Sequence, residues 1–233
     1  MRTYARTHLK ISTVGHPESR SSLTAVESAV ESAAESTAES VAKSAAEPVA
    51  AAFSGRPEMP EAAAFRQQFL NAMSHAACTV SVVTTDGPAG RFGLTITAMS
   101  SVSAEGPAPT LLVCINERSS AIDGLLANGV FCVNVLRDDQ SGIADTFAGR
   151  GADPAPDRFA GTLWTTERTG APRLVDPLVA FDCRVLHTER IGSHFVVVGA
   201  IEAVFVAPAG GAPLIYANRA YGTAQPMVRA PRP

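Results

Sequence analysis

The stretch Val179-Ala180-Phe181-Asp182-Cys183-Arg184-Val185-Leu186-His187 sets the apolar Val179, Phe181, Cys183 and Val185 in alternation with the charged Asp182 and Arg184. Side chains on a strand alternate between its two faces, so this run predicts one face in a core and the other outside. The run that follows, residues 195–206, is apolar at nearly every position and predicts a strand covered on both faces. Moving outward, β-rich runs recur at residues 79–85, 92–98, 110–116, 130–136, 178–188, 194–206 and 214–217. So many strands against few helices predict a mainly β domain. A sheet closed into a barrel, flanked by helices or by a second subunit, would account for both burial patterns.

Three helices are expected around these strands. Phe65, Phe69 and Met73 recur every four residues with Leu70 beside them, predicting an amphipathic helix over residues 61–77. Ser119 or Ser120 can cap a helix over residues 121–127, with Asn128-Gly129 as its left-handed stop. Asp138 or Asp139 can open another through Ile143, Ala144 and Phe147, ending at Gly149. Residues 150–161 are rich in Asp, Pro and Gly and read as a loop. Before residue 61 the texture differs: Glu27-Ser28, Glu31-Ser32, Glu35-Ser36 and Glu39-Ser40 repeat every four residues among alanines. Such a segment offers too little apolar area to dock, so residues 1–60 read as an Ala/Glu/Ser tail, disordered or partly helical, ahead of a domain at 61–225.

Composition narrows the function. The 233 residues are 46% hydrophobic, enough for a core, and the formal net charge is -3. Without a cluster of Lys and Arg interleaved with aromatics, that balance argues against a nucleic-acid partner. Met1-Arg2-Thr3-Tyr4-Ala5-Arg6 is followed by no apolar segment, and no run approaches ~18 apolar residues, which predicts a cytoplasmic protein without a membrane span. Cys78, Cys114, Cys132 and Cys183 stand singly in apolar, β-branched surroundings, the setting of buried reduced thiols. No C-x-x-C occurs, and the histidines form no pairing at metal-ligand spacing, so no metal is expected.

The common nucleotide and hydrolase fingerprints are absent. Gly87-Pro88-Ala89-Gly90-Arg91-Phe92-Gly93 spaces its glycines by three between two strands and reads as a hairpin loop, not a dinucleotide turn. No P-loop, H-E-x-x-H or G-x-S-x-G occurs. Two clusters could hold a redox nucleotide in another way. Gly93-Leu94-Thr95-Ile96-Thr97-Ala98-Met99-Ser100-Ser101 lines a strand and its exit with small and hydroxyl residues, Thr95 and Thr97 sharing a face, where a flat polar-edged ring could reach the backbone. Asn116-Glu117-Arg118-Ser119-Ser120 ends a strand and begins a helix, gathering hydroxyls, free N–H groups and an arginine where a phosphate could sit. Taken singly, threonine also populates strands by propensity and a serine at a helix start also serves as a cap.

Together these residues carry a resemblance. Phe69-Leu70-Asn71-Ala72-Met73-Ser74, Thr84-Thr85-Asp86-Gly87-Pro88-Ala89-Gly90-Arg91, Gly93-Leu94-Thr95-Ile96-Thr97-Ala98, Leu112-Val113-Cys114-Ile115-Asn116 and Cys132-Val133-Asn134-Val135-Leu136 resemble the flavin reductase components of two-component monooxygenases. Phe147-Ala148-Gly149, Arg158-Phe159 and Gly192-Ser193-His194 continue the likeness in the same order. Phe181-Asp182-Cys183-Arg184 and Ala200-Ile201-Glu202-Ala203 are similar to the pyrimidine-utilisation type, the remainder to the 4-hydroxyphenylacetate type. The resemblance implies an FMN-binding split β-barrel, a homodimer with the flavin near the subunit interface, and NADH as the reductant. By position it implies Thr95, Thr97, Ala98 and Ser100 along the flavin ring, Asn116, Ser119 and Ser120 on ribityl and phosphate, Phe147 nearby, and His194 facing the nicotinamide. Where the family often carries an aromatic-His pair after an arginine, this chain has Arg219-Ala220-Tyr221-Gly222, without the histidine.

Hydride transfer from nicotinamide to flavin is cofactor chemistry that needs no acid–base dyad, which suits a sequence with no catalytic constellation. The resemblance implies reduced flavin handed to a partner monooxygenase. FAD in place of FMN, NADPH in place of NADH, a reductase of a cobalt corrinoid such as cob(II)yrinic acid diamide, and an electron carrier without NADH turnover remain alternatives at the level of sequence.

Overall fold

The computed structural model describes residues 62–150, 157–208 and 210–225; the Ala/Glu/Ser tail and part of the 150–161 loop lie outside these. Helix α1 spans Ala62–Ser74, α2 Ile122–Asn128 and α3 Ser141–Phe147. The strands are β1 (Cys78–Thr79), β2 (Ser81–Thr85), β3 (Phe92–Ile96), β4 (Met99–Ser103), β5 (Thr110–Asn116), β6 (Val130–Val135), β7 (Trp164–Thr166), β8 (Pro172–Leu174), β9 (Val179–Ile191), β10 (His194–Val206), β11 (Leu214–Ala217) and β12 (Ala220–Thr223).

Seven strands form one antiparallel sheet in the order β3-β2-β6-β9-β10-β5-β4. The connection between its two edges decides its shape. β3 and β4 are at opposite ends of that order, yet only Thr97 and Ala98 separate them in the chain. Three Cα steps reach at most about 11 Å, so the sheet must curl until its edges nearly meet. The result is a split barrel, open between β3 and β4 at Thr97-Ala98, where the Ala98 carbonyl accepts a bond from Cys114 N–H at 3.1 Å. Inside the curl pack Val83, Ile115, Phe131, Val133 and Val197, with Ile122 and Leu125 of α2. Outside it, Val80, Val82, Phe147, Phe159 and Leu214 form a second core under α3 and the small β1-β11-β12 sheet.

Several expectations need correcting. Asp182 is not on an open face: it is 1% exposed. Its carboxylate accepts bonds from the Thr169 N–H at 2.8 Å and from the Thr169 hydroxyl, because the segment ending in the β7–β8 hairpin lies over that side of β9. In β10, Val204 and Val206 are 57% and 64% exposed, so the described residues cover only part of that strand's second face. α1 forms, but none of its residues is buried, and Phe65, Phe69 and Met73 face outward. Neither Asp138 nor Asp139 caps α3; Asp139 pairs with Arg137 at 3.1 Å and Asp138 accepts from the Thr223 hydroxyl at 3.0 Å. Strands β4, β7, β8 and β12 had no signal, since hydroxyl-rich or very short runs lack an apolar period.

Candidate functional site

Most of the residues expected at the site lie on β3 and its exit and at the end of β5. Gly93 and Thr95 lie two apart on the β3 face that packs on α3. A Cβ at Gly93 would stand 2.5 Å from the Phe147 ring and 3.2 Å from Phe159, so glycine is what lets β3 lie against this aromatic pair. Thr95 donates its hydroxyl proton to the Ala144 carbonyl of α3 at 2.7 Å, which leaves it only acceptor capacity toward a ligand. β3 ends at Ile96, yet Thr95 and Thr97 line the same hollow, about 210 Å³, with Ala148, Arg150, Tyr216 and Tyr221. Tyr216 and Tyr221 meet edge to face at 5.6 Å, and the Arg150 guanidinium lies 5.9 Å from the Tyr216 ring centre. Tyr221 donates to Asp145 at 2.9 Å; partial burial, then that carboxylate, raise its phenol above the ordinary value. Its ring is thus a fixed wall.

Ala98 sits on the exposed link across the split. Ser100 does not join Thr95 and Thr97: it lines a separate groove along β4 with Met99, Val102, Leu111, Phe181 and Ile201. Phe147 is 2% exposed, packed edge-on against Phe159 at 5.1 Å and Trp164 at 5.6 Å beneath Gly93.

At the end of β5, Asn116 pairs in register with His194 at the start of β10. The side-chain oxygen of Asn116 accepts from Arg118 N–H at 2.9 Å, turning the chain toward α2. Ser119 accepts from Ala121 N–H at 3.3 Å and so serves local structure. Ser120 faces a hollow of about 270 Å³ lined also by Arg91, Phe92, Gly93, Arg158 and Phe159, with Asp157 at its side. With Arg91 and Arg158 against Asp157, the charged residues of its lining sum to one positive charge. Arg91 lies 4.7 Å over the Phe159 ring and 3.7 Å from Asp157. Arg118, expected beside Ser119 and Ser120, is outside this hollow, and α2 has only seven residues, so the positive charge here comes from the Arg91 and Arg158 side chains. His194 is exposed, its Nδ1 3.1 Å from the Ser193 hydroxyl in the tight turn at Gly192, whose φ is 59°.

Arg91, Arg158, Arg150 and Tyr216 are lining residues to which sequence reasoning assigned no role. Arg91 and Arg158 stood inside resembling motifs, but only folding puts them beside Ser120. Arg150 and Tyr216 carried no signal.

The curled sheet, open between β3 and β4 with polar hollows along β3, is the architecture of a flavin-handling split barrel. The chain belongs to the family described as "Flavin reductase like domain", whose model matches residues 73–225. It is 48% identical over 168 residues to the FMN reductase (NADH) RutF 2 of Methylorubrum extorquens, covering 72% of this chain and 92% of that one. To the FMN reductase (NADH) RutF of Stutzerimonas stutzeri it is 40% identical, covering 67% and 87% of the two chains. Among solved structures, nitrilotriacetate monooxygenase component B from Mycobacterium thermoresistibile superposes with TM-score 0.65 at 26% identity, over 73% of this chain and 93% of that one. BorF, the flavin reductase component of a bacterial two-component tryptophan halogenase, gives 0.62 at 27%, over 70% and 99%.

Proposed function

We propose that this chain is an NADH-dependent FMN reductase that passes reduced flavin to a partner monooxygenase. The observation that carries the reading is the positive hollow of Ser120, Arg91 and Arg158 opposite one end of β3, with the hollow of Thr95 and Thr97 at the other. Gly93 and Thr97 are about 13 Å apart along an extended chain, a separation suited to a flavin mononucleotide with its phosphate at one end and its ring at the other. The residues fit the group: guanidinium groups and a hydroxyl for a phosphate, small hydroxyl residues and aromatic walls for a ring. Bound FMN would supply the acceptor for the hydride of NADH.

The chain's own part is to bind, orient and exclude water. Arg91, Arg158 and Ser120 would hold the phosphate, with Asn116 at its edge. Thr95 would accept from a ring N–H, while Thr97 and Ala98 would meet the ring at the split. His194, opposite Asn116, would orient the nicotinamide, with Ser193 holding its Nδ1 side. In this reading Ser119 and Phe147 shape the site without touching the ligand, and Ser100 lies outside it.

A homodimer in the cytoplasm completes the proposal. Exposed Leu186, Ile191, Val204 and Val206 on the β9–β10 hairpin support a second copy as their cover, and free cysteines, with no helix among the described residues long and apolar enough to cross a membrane, agree with the compartment. The test is steady-state oxidation of NADH and NADPH with FMN, FAD and riboflavin as acceptors. NADH with FMN should be the fastest pair; a protein that binds FMN but leaves NADH unoxidised would be an electron carrier instead. Sedimentation of the full chain should return twice the chain mass.

A further inference from the structure

The turn that carries His194 is tied to the Asn116–Ser120 segment by a pair of charged side chains. β9 and β10 are joined by Gly192-Ser193, so the turn stands at the end of a long hairpin and is exposed from Ile191 to His194. One tie is main-chain: Glu117 N–H donates to the Ser193 carbonyl at 2.9 Å. The other is ionic: Arg190 Nη2 lies 2.5 Å from Glu117 Oε2. Arg190 pairs with Phe195 across the hairpin and His194 pairs with both Ile191 and Asn116. Glu117 therefore grips the hairpin at two points close to His194, namely Ser193 and Arg190, from a segment that also carries Asn116 and Ser120 of the proposed flavin site.

We infer that Glu117 and Arg190 are positioning residues that set the spacing between the nicotinamide-facing turn at His194 and the flavin-holding turn at Asn116–Ser120. Neither touches a reacting atom. The inference rests on the proposed NADH:FMN reductase reading. Arg190 and Glu117 are 59% and 33% exposed, so the pair is salt-sensitive and its effect moderate.

The test uses the full-length protein and the variants Glu117→Gln, Arg190→Gln and the exchanged pair Glu117→Arg/Arg190→Glu. Each single variant should raise the KM for NADH about threefold, leave the FMN dissociation constant measured by fluorescence quenching unchanged, and leave kcat within about twofold. The exchanged pair should restore KM. High ionic strength should raise the wild-type KM toward that of the single variants and leave theirs nearly fixed. Independently of turnover, amide hydrogen exchange at Glu117 should be about threefold faster in Arg190→Gln, since that N–H closes the tie to Ser193. Unchanged KM in both single variants, a parallel loss of FMN affinity, or no recovery in the exchanged pair overturns the inference. Wild-type protein that oxidises no NADH overturns the function instead, and the exchange measurement then still reports whether the pair holds the turn; exchange that does not change sinks the tie itself.

Discussion

Gly93 shows how one residue joins packing to the site. Alanine there would drive a methyl into Phe147 and Phe159, whose rings also meet Trp164. Overpacking of this kind costs about 1–3 kcal/mol, so Gly93→Ala should lower the thermal midpoint, read by circular dichroism, and displace β3 from α3. A fall of less than 1 °C would mean that the aromatic cluster yields freely. Arg158 makes a different case, because it lines a hollow rather than packing in a core. Arg158→Ala should weaken FMN binding about tenfold, as loss of a charge-assisted bond to phosphate does, and leave riboflavin binding unchanged. Equal losses for FMN and riboflavin would move the phosphate elsewhere. Gly93 and Arg158 both stand within readable motifs, but their partners come from segments more than 50 positions away or from another loop, and no local pattern announces them.

At the scale of elements, the hairpin of β2 and β3 depends on a residue outside it. Asn128, at the end of α2, accepts from Ala89 N–H at 2.9 Å and donates to the Gly90 carbonyl at 2.9 Å and the Thr85 hydroxyl at 3.1 Å. It thereby fixes the loop that ends in Arg91. Asn128→Ala should cost about 1–3 kcal/mol in urea unfolding, because the loop's polar groups lose their partner, and should weaken FMN binding through Arg91. A stability loss with FMN affinity intact would separate the loop from the site. The elements legible in the sequence were those with a continuous apolar, β-branched run: β5, β10 and β11 fall at the expected residues, and Gly129 is the left-handed stop of α2 with φ 67°. β4 was not legible. Met99-Ser100-Ser101-Val102-Ser103 is mostly exposed, and what makes it a strand is the backbone ladder offered by β5.

For the whole molecule, the thiols give a pH-dependent term. Burial pushes Cys132 well above the ordinary thiol value of 9.0, and Cys183 likewise; Asp182 nearby adds to both. In the unfolded chain these thiols ionise near their ordinary value, whereas in the fold they keep their protons. The stability they contribute is therefore fully present below about pH 9 and is lost as pH rises above it, by up to about 1.4 kcal/mol per pH unit for each thiol. Urea midpoints should fall from pH 8.5 to 10.5, and Cys183→Ala should flatten that fall after allowance for the cavity it leaves. A midpoint independent of pH across this interval would show that the thiols titrate alike in both states.

What the sequence alone determined was the class of fold and the family: strand-length apolar runs such as those at 110–116, 195–206 and 214–217, and ordered motifs from Phe69 to His194. These are local or ordered along the chain, and strand periodicity expresses itself wherever one face is to be buried. Tertiary structure alone decided where the barrel splits and which side chains share a hollow. The split lies at Thr97-Ala98 because β3 and β4 are neighbours in the chain but opposite edges of the sheet. Arg91, Ser120 and Arg158 meet, and Asn116 faces His194, because closure superposes distant segments. Periodicity records which way a side chain points, and only the completed sheet records what it points at.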